Sequence, residues 1–421
     1  MGKFFNLLKL KRLDKPGTYN LYNFQTYDSQ VHDFFDSFKS ISETKIAQVI
    51  LGFASLIFWG IIALIVGLFY YVLVVILGIV FYLFSRKKVG YQSNERFNQY
   101  LKHYYHKPAL FYLKLLEGNF FSKVELKSPS LEIGVEDGEV SLLHFNGKKI
   151  DIGSEYVPDN LGDAQNKNIF KDLICFDVRK SCFVDNTFST ILMVHIVDHF
   201  PEFEKCFKEV RRILKPGGIC IFSTLDKNFL NSNPLITLLR KLKMDKAVQK
   251  YKNTLKQRRA IFNDFTEEEF ENKLKNLHFE ILEHRSFLKG EVKYLWGFFF
   301  FYFETVGGTE VLKVFKKLKK VPRVIERILC WSLKNIYYSA YLKDEQIEEE
   351  GEHVFFIIKK PGLINEKENF ITQDINLANI ISCPRCHGKL LDNQKETIQC
   401  LDCGKLYFYY SNKIPVLLDK D

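Results

Sequence analysis

The sequence has no charged residue between Ile46 and Phe84, although 26% of the whole chain is charged. A single helix over those 39 residues would measure roughly 59 Å, whereas the hydrocarbon core of a bilayer is about 30 Å thick. Two membrane-spanning helices that turn near Gly67 fit better. Basic residues at Lys45 and at 86–88 then predict that both ends lie on the cytoplasmic side. The alternative is a helical hairpin buried in a soluble core, which such unbroken apolarity disfavours.

The sequence also lacks a cleavable secretion signal, because no small-residue cleavage site follows the apolar run. Residues 1–45 are therefore predicted to stay in the cytosol. A disulfide framework is missing as well: of nine cysteines, four group near the C-terminus and five are scattered singly. Scattered cysteines are typical of small buried side chains in a reducing compartment.

Positive charge is not concentrated in one long run, although 60 basic side chains exceed 50 acidic ones and leave a net charge of +10. The lysines instead crowd beside the apolar stretches. That placement favours an anionic membrane surface as partner over nucleic acid, which stays a weaker alternative.

A length of 421 residues suits two or three domains. The sequence predicts the following segments: a cytosolic segment 1–45, a transmembrane hairpin 46–85, an interfacial linker 86–122, an α/β domain 123–361 with an insertion 288–350, and a small C-terminal domain 375–421.

The α/β domain begins with a short apolar strand that contains Glu132 and runs into a turn with glycines at Gly134 and Gly138. Parallel α/β folds use such turns to bring backbone amides close to a nucleotide-like ligand. Further motifs follow at Asp177-Val178, at 183–188, at Val197-Asp198-His199 and at Lys215-Pro216-Gly217-Gly218.

In order and spacing these motifs resemble the class I S-adenosylmethionine-dependent methyltransferases. The resemblance implies a Rossmann-like sheet and S-adenosylmethionine as cofactor, held by Glu132, Gly134, Gly138, Glu155, Asp177 and Val178. For the acid that binds the ribose hydroxyls, Asp151 and Glu155 compete. Glu155 is favoured because it lies 23 residues after Glu132, which is the separation expected in this family.

Two positions depart from the family pattern. Glu136 stands where a second glycine is common, and Ser189 replaces the usual aspartate after Phe188. A side chain at position 136 narrows the approach to the turn and adds negative charge near the expected methionine carboxylate.

The predicted fourth strand, Thr190 to Val194, ends beside a histidine. His195 lies just past the carboxyl end of that strand, where open α/β sheets place their ligands, and is therefore the candidate catalytic base. Asp198 and His199 match the family's acid-histidine pair, which more often packs and orients the start of the following helix.

The insertion 288–350 contains ten consecutive residues, Tyr294 to Phe303, of which eight are aromatic, followed by several lysines. This run is too short to span a bilayer, but aromatic residues next to lysines suit a segment that lies in the membrane interface and covers the active site. The alternative is a substrate lid that packs on protein alone.

Four cysteines near the C-terminus, Cys383, Cys386, Cys400 and Cys403, follow the spacing C-x2-C-x13-C-x2-C. Two such pairs can close a tetrahedral zinc site, and because no ligand position is left open the zinc is predicted to be structural. With Ile414 and Pro415 nearby, the tail resembles the small zinc-ribbon proteins that activate certain tRNA and protein methyltransferases.

These features together predict a membrane-anchored methyltransferase that acts on a lipid or lipid-linked acceptor, with its catalytic domain on the cytoplasmic side. One alternative is a degenerate methyltransferase domain that serves as a membrane scaffold, suggested by Glu136 and Ser189. Another is a tRNA or protein methyltransferase, suggested by the zinc ribbon alone. The sequence leaves the acceptor atom and the oligomeric state open.

Overall fold

The structure is a computed structural model of the chain. It describes residues 65, 68–69, 72–84, 95–105, 107–290, 292–305, 323–341, 351–362, 376–393, 397–411 and 413–419.

A seven-stranded sheet forms the centre of the molecule. Its strands are β1 (Ser130–Ile133), β2 (Ile150–Glu155), β3 (Phe170–Phe176), β4 (Phe188–Val194), β5 (Leu214–Leu225), β6 (Glu280–Phe287) and β7 (His353–Lys359). Their order is β6-β7-β5-β4-β1-β2-β3, and β7 is antiparallel to both of its neighbours. Strands β1, β2 and β4 are buried along their whole length, as parallel strands covered on both faces should be. The predicted Rossmann-like sheet is thereby confirmed.

Helices cover both faces of this sheet. They are α1 (Glu95–Tyr104), α2 (Pro108–Phe121), α3 (Glu139–His144), α4 (Pro158–Asn166), α5 (Phe203–Ile213), α6 (Pro234–Lys241), α7 (Asp245–Arg258), α8 (Glu267–Asn276), α9 (Val292–Thr305), α10 (Arg323–Tyr341) and α11 (Leu377–Ile380). Successive residues of β4 belong to different hydrophobic clusters: Ile191 packs in one, and Leu192 packs in the other. The sheet therefore separates two cores, because strand side chains alternate between its faces.

The chain reverses its direction across the sheet between β1 and β4. Strands β2 and β3 lie on one side of this point, and β5, β7 and β6 lie on the other. Such a reversal leaves a crevice outside the carboxyl ends of the two central strands, which is where open α/β sheets bind ligands. The glycine turn after β1 and His195 after β4 consequently lie next to each other.

The C-terminal tail adds four strands to this sheet. They are β8 (Leu390–Asn393), β9 (Thr397–Cys400), β10 (Leu406–Tyr410) and β11 (Ile414–Leu417). Strand β11 runs parallel to β3, with Val416 opposite Cys175 and Leu417 opposite Phe176. Asp419 then forms ion pairs with Lys180 of the main domain and with Arg385 of the tail. The predicted small domain is thus joined to the sheet of the α/β domain.

The predicted linker 86–122 is buried along α2, whereas α1 keeps exposed residues such as Glu95, Asn98 and Gln99. In α2, Phe111, Tyr112 and Leu115 are all fully buried. Nearly all of this helix is apolar, and a helix that is apolar all round has no polar face to turn toward water. The structure therefore places α2 against the sheet and not along an interface.

The insertion packs on protein at its aromatic residues. Trp296 and Phe299 of α9 are 2% and 0% exposed, and the Trp296 indole N–H donates to the Ala109 carbonyl at 3.1 Å. This contact with the start of α2 agrees with the lid that packs on protein. For Trp296 and Phe299, the burial in protein differs from the predicted position in the membrane interface.

The predicted transmembrane hairpin falls largely outside the described residues, as do residues 1–45. Within the described part of the chain, no helix combines the length and apolarity needed to cross a bilayer. Residues 72–84 are helical, and Tyr82 packs on Trp331 of α10 with ring centroids 5.5 Å apart. Other side chains of this segment are open to solvent, with Leu83 69% and Phe84 81% exposed.

Candidate functional site

The turn after β1 requires glycine at Gly134. Its φ is +81°, and a Cβ at this position would lie 2.1 Å from the Cδ1 atom of Ile196. Gly138, with φ of +76°, caps the start of α3. The backbone therefore passes close to the end of β4 in a conformation that only glycine adopts without strain.

Glu136 lies in the middle of this turn and has a left-handed backbone conformation, with φ of +47°. Its backbone N–H donates to Oε2 of Glu155 at 3.0 Å, and the Tyr156 N–H donates to Oε1 at 2.8 Å. Glu155 is the last residue of β2, whereas Asp151 lies near the opposite end and accepts hydrogen bonds from Ser130. Of the two predicted ribose acids, only Glu155 faces the crevice end of the sheet.

Burial is the largest cause of the pKa shifts of the acidic residues around the turn. It raises the pKa of Glu155, although hydrogen bonds from backbone amides oppose the effect. Burial also raises the pKa of Glu136, where the Lys114 ammonium opposes it and Glu155 adds to it. For Glu132, burial raises the pKa to about 8, and Ser141 donates to one oxygen while the other has no partner among the described residues.

Asp177 and Val178 follow β3, as predicted. The Asp177 carboxylate accepts two hydrogen bonds from the Arg179 side chain through Nε and one through Nη2, at 3.0, 3.0 and 2.6 Å. It also accepts from the Arg179 backbone N–H and thereby caps the short turn that begins at Val178. Asp177 is therefore held in place by charge and by backbone geometry.

His195 lies directly after β4 with φ of +54°, which is uncommon for any residue other than glycine. Its backbone N–H donates to the Ser223 hydroxyl at 3.0 Å, and its Nδ1 lies 3.4 Å from Oε1 of Glu117 without a hydrogen bond to any described residue. The side chain is 18% exposed. The structure thus keeps the imidazole at the crevice and in reach of solvent.

Glu117 is a site residue that the sequence reasoning missed. It lies on α2, is fully buried, and accepts hydrogen bonds from Lys114 at 2.6 Å, Ser223 at 2.5 Å and His144 at 3.2 Å. A signal was present in the sequence, because Lys114 and Glu117 are the two charged residues of an otherwise apolar helix. Charged residues are almost never fully buried unless they are paired.

His353 was missed as well. This first residue of β7 is fully buried, and its ring centroid lies 5.2 Å from that of His195 and 5.3 Å from that of Trp296. Neither ring nitrogen has a hydrogen-bond partner within the described residues. Burial, and then the neighbouring His195, lowers the pKa of His353 well below its ordinary value, so the ring is neutral.

Asp198 and His199 form a pair that packs and orients, the role that the sequence favoured. His199 Nε2 lies 3.3 Å from the Asp198 carboxylate, and Nδ1 lies 3.1 Å from the Ala260 carbonyl. The Asp198 carbonyl accepts from the backbone of Phe262 and Asn263. The pair therefore ties the end of β4 to the segment after α7.

The four tail cysteines converge as the spacing predicted. Their Sγ atoms all lie within 4.8 Å of one another, with Cys383 to Cys403 at 3.7 Å and Cys386 to Cys400 at 3.5 Å. Four sulfurs at about 2.3 Å from a tetrahedral zinc ion are roughly 3.8 Å apart. The donor set and its spacing therefore fit zinc.

Comparison with known proteins matches one region of the chain to a domain family. Residues 131–222 match the family described as methyltransferase domain. Sterol 24-C-methyltransferase ERG6B of Gibberella zeae is 34% identical over 79 residues, which are 18% of this chain and 20% of that protein. This chain thus aligns with about a fifth of that relative's length.

The solved structures that match this chain include two methyltransferases. The S-adenosylmethionine-dependent methyltransferase of Thermotoga maritima is 18% identical, with 62% of this chain and 95% of that chain covered and a TM-score of 0.37. Phosphoethanolamine N-methyltransferase 2 of Haemonchus contortus is 16% identical, with 66% and 59% covered and a TM-score of 0.35.

The family match spans β1 to β5, which include the glycine turn, Glu155, Asp177 and His195. The strands around it complete the Rossmann-like sheet, with an antiparallel β7 between β5 and β6. Residues 131–222 therefore belong to a class I S-adenosylmethionine-dependent methyltransferase domain.

Proposed function

We propose that this protein is a membrane-anchored methyltransferase that transfers a methyl group from S-adenosylmethionine to a lipid or lipid-linked acceptor. The observation that carries the proposal is the crevice between β1 and β4, where Gly134, Glu155 and His195 lie at the carboxyl ends of the strands. The exposed apolar side chains of 72–84 support the membrane part, because large apolar patches on a protein surface mark contact sites.

In this proposal the cofactor lies on the turn that Glu132, Gly134 and Gly138 shape. Glu155 would accept hydrogen bonds from the ribose hydroxyls, and Asp177 and Val178 would hold the adenine. Gly134 fits this role because it has no side chain, and the turn can therefore pass close to Ile196. When bound, S-adenosylmethionine supplies an electrophilic methyl group on a sulfonium ion.

The remaining residues act on the acceptor. His195 removes a proton from the attacking group, and its position after β4 keeps it at the crevice. Helix α9 covers the site as a lid, since Trp296 contacts both α2 and His353. Zinc at the four tail cysteines holds the tail in the shape that lets β11 pair with β3.

The scaffold alternative keeps one supporting observation. The N–H groups of Glu136 and Tyr156 already donate to the Glu155 carboxylate, which leaves fewer of its lone pairs for ribose hydroxyls. Ser189 no longer supports that alternative, because it lies near the amino end of β4 and donates to the Ser128 carbonyl, at the end of the sheet opposite the crevice.

The test uses the purified full chain in detergent with S-adenosylmethionine labelled in its methyl group and a total-lipid extract. We expect label in the organic phase, and a loss of cofactor affinity of about 1 to 3 kcal/mol in Glu155→Ala when binding is measured by calorimetry. Absence of cofactor binding at millimolar concentration would support the scaffold. Label that stays in the aqueous phase would reject the lipid acceptor.

A further inference from the structure

We propose that Glu117 is a positioning residue that orients the imidazole of His195 to take the proton from an acceptor hydroxyl group. This inference rests on the proposed methyltransferase function, to which it adds a residue and a class of acceptor.

The Glu117 carboxylate is held from three elements. Lys114 on the same helix, Ser223 near the end of β5 and His144 at the end of α3 all donate to it. His144 must donate through Nε2, because an ionised carboxylate only accepts, and its Nδ1 then accepts from the Tyr100 hydroxyl at 2.8 Å. The carboxylate is fixed in position by these bonds.

Glu117 is ionised in this network. Burial alone would raise its pKa, but the Lys114 ammonium and the imidazoles of His144 and His195 hold the pKa well below its usual range. A charge so placed favours the tautomer of His195 that carries its proton on Nδ1, the atom 3.4 Å from Oε1. The lone pair of His195 is then on Nε2.

Ser223 links the two residues through one hydroxyl group. Its oxygen accepts the backbone N–H of His195 and its proton goes to Glu117. The left-handed backbone at His195 is therefore stabilised by the same group that binds the carboxylate. Residues held in such uncommon conformations cluster at active sites.

The neighbours of His195 favour a neutral acceptor group. His353 on β7 is neutral, and the Lys114 charge is paired with Glu117. A hydroxyl group is such an acceptor, because it is neutral and becomes a strong nucleophile only as a base takes its proton.

The transfer balances without a further reactant. The acceptor oxygen forms a bond to the methyl carbon, the carbon–sulfur bond breaks with its electron pair left on sulfur, and the hydroxyl proton moves to Nε2 of His195. A hydroxyl group needs this base because it keeps its proton at neutral pH.

The first test reads the tautomer by nitrogen NMR of the full chain labelled with ¹⁵N-histidine, with His195 assigned through His195→Gln. We expect the proton on Nδ1 in the wild type and a mixed pattern in Glu117→Gln. Asp151→Asn is the matched control, since Asp151 is also a buried carboxylate but lies at the opposite end of the sheet. An unchanged His195 pattern in Glu117→Gln overturns the inference.

The second test measures label transfer to the total-lipid extract. We expect Glu117→Gln to lower the rate about 100-fold with unchanged cofactor affinity, and Glu117→Asp, which keeps the carboxylate, to recover part of it. The transfer rate of Ser223→Ala should lie between the rates of Glu117→Gln and Glu117→Asp. Transfer to a nitrogen atom in the product, or full activity of Glu117→Gln, overturns the inference. Failure of the wild type to bind cofactor rejects the proposed function and leaves the tautomer result standing.

Discussion

The two halves of the candidate site are built in different ways. The cofactor half comes from one stretch of the chain, in which the turn after β1 is followed by Glu155 at the end of β2. The acceptor half takes Glu117 from α2, His195 from the end of β4 and His353 from β7, residues that are more than 200 positions apart at the extremes. A local motif can be recognised in sequence, whereas a group assembled by packing becomes visible only in the fold.

The largest effect should come from a substitution in the cofactor half of the site. Gly134→Ala adds a Cβ that would meet Ile196 at 2.1 Å in a backbone with φ of +81°, so we expect loss of cofactor binding and several kcal/mol of stability. Gly147→Ala is the control, because its φ is +72° but nothing lies within 4 Å, and it should cost only about 1 to 2 kcal/mol. Calorimetry and thermal unfolding measure both. Equal effects of the two changes would show that Ile196 does not restrict the turn.

A smaller effect should follow from a substitution in the tail, which supports the edge of the sheet beside the cofactor half. Cys400→Ser removes one sulfur ligand, so we expect the zinc content to fall from one ion per chain and β8 to β11 to lose protection in hydrogen exchange. Exchange should also rise at Cys175 and Phe176, which pair with β11. Wild-type zinc content in the variant contradicts the metal site.

A further effect, confined to the pH dependence of stability, concerns Glu132. Its pKa is raised to about 8 in the folded protein, so the folded state favours the protonated form. That stability is fully present below the unfolded pKa of about 4.3 and is lost as the pH rises toward 8. In Glu132→Gln the unfolding free energy should fall less between pH 5 and 8, by about 1.4 kcal/mol for each unit of pKa shift removed. Parallel pH profiles, measured by urea unfolding, would show that Glu132 is not the titrating group.

Chain order and spacing predicted the residues of the proposed cofactor half. Glu155 was chosen over Asp151 by its separation from Glu132, and the structure puts Glu155 at the crevice end of β2. His195 followed from the same logic, since residues just after β4 must lie at that edge. In these cases the position along a strand determines the position in space.

The other two residues of the acceptor half, Glu117 and His353, could not be found in this way. Nothing in the order of the chain says that α2 packs over the ends of β4 and β5, because that contact depends on the fit of buried side chains such as Phe111 and Tyr112. The aromatic run of α9 was interpreted through its composition, which is the same for a lid on protein and for a membrane segment. Only the contact of Trp296 with Ala109 distinguishes these at that residue.

The pairing of β11 with β3 has a consequence for how the chain is made. Strand β3 leaves the ribosome about 240 residues before β11, which is on the order of tens of seconds at typical rates of synthesis. During that time its outer edge presents unpaired backbone groups, which can join strands of other chains. Strand β11, which is synthesised after the other described strands, therefore closes this edge, so a chain cut short before residue 414 is exposed to aggregation even with its methyltransferase domain complete.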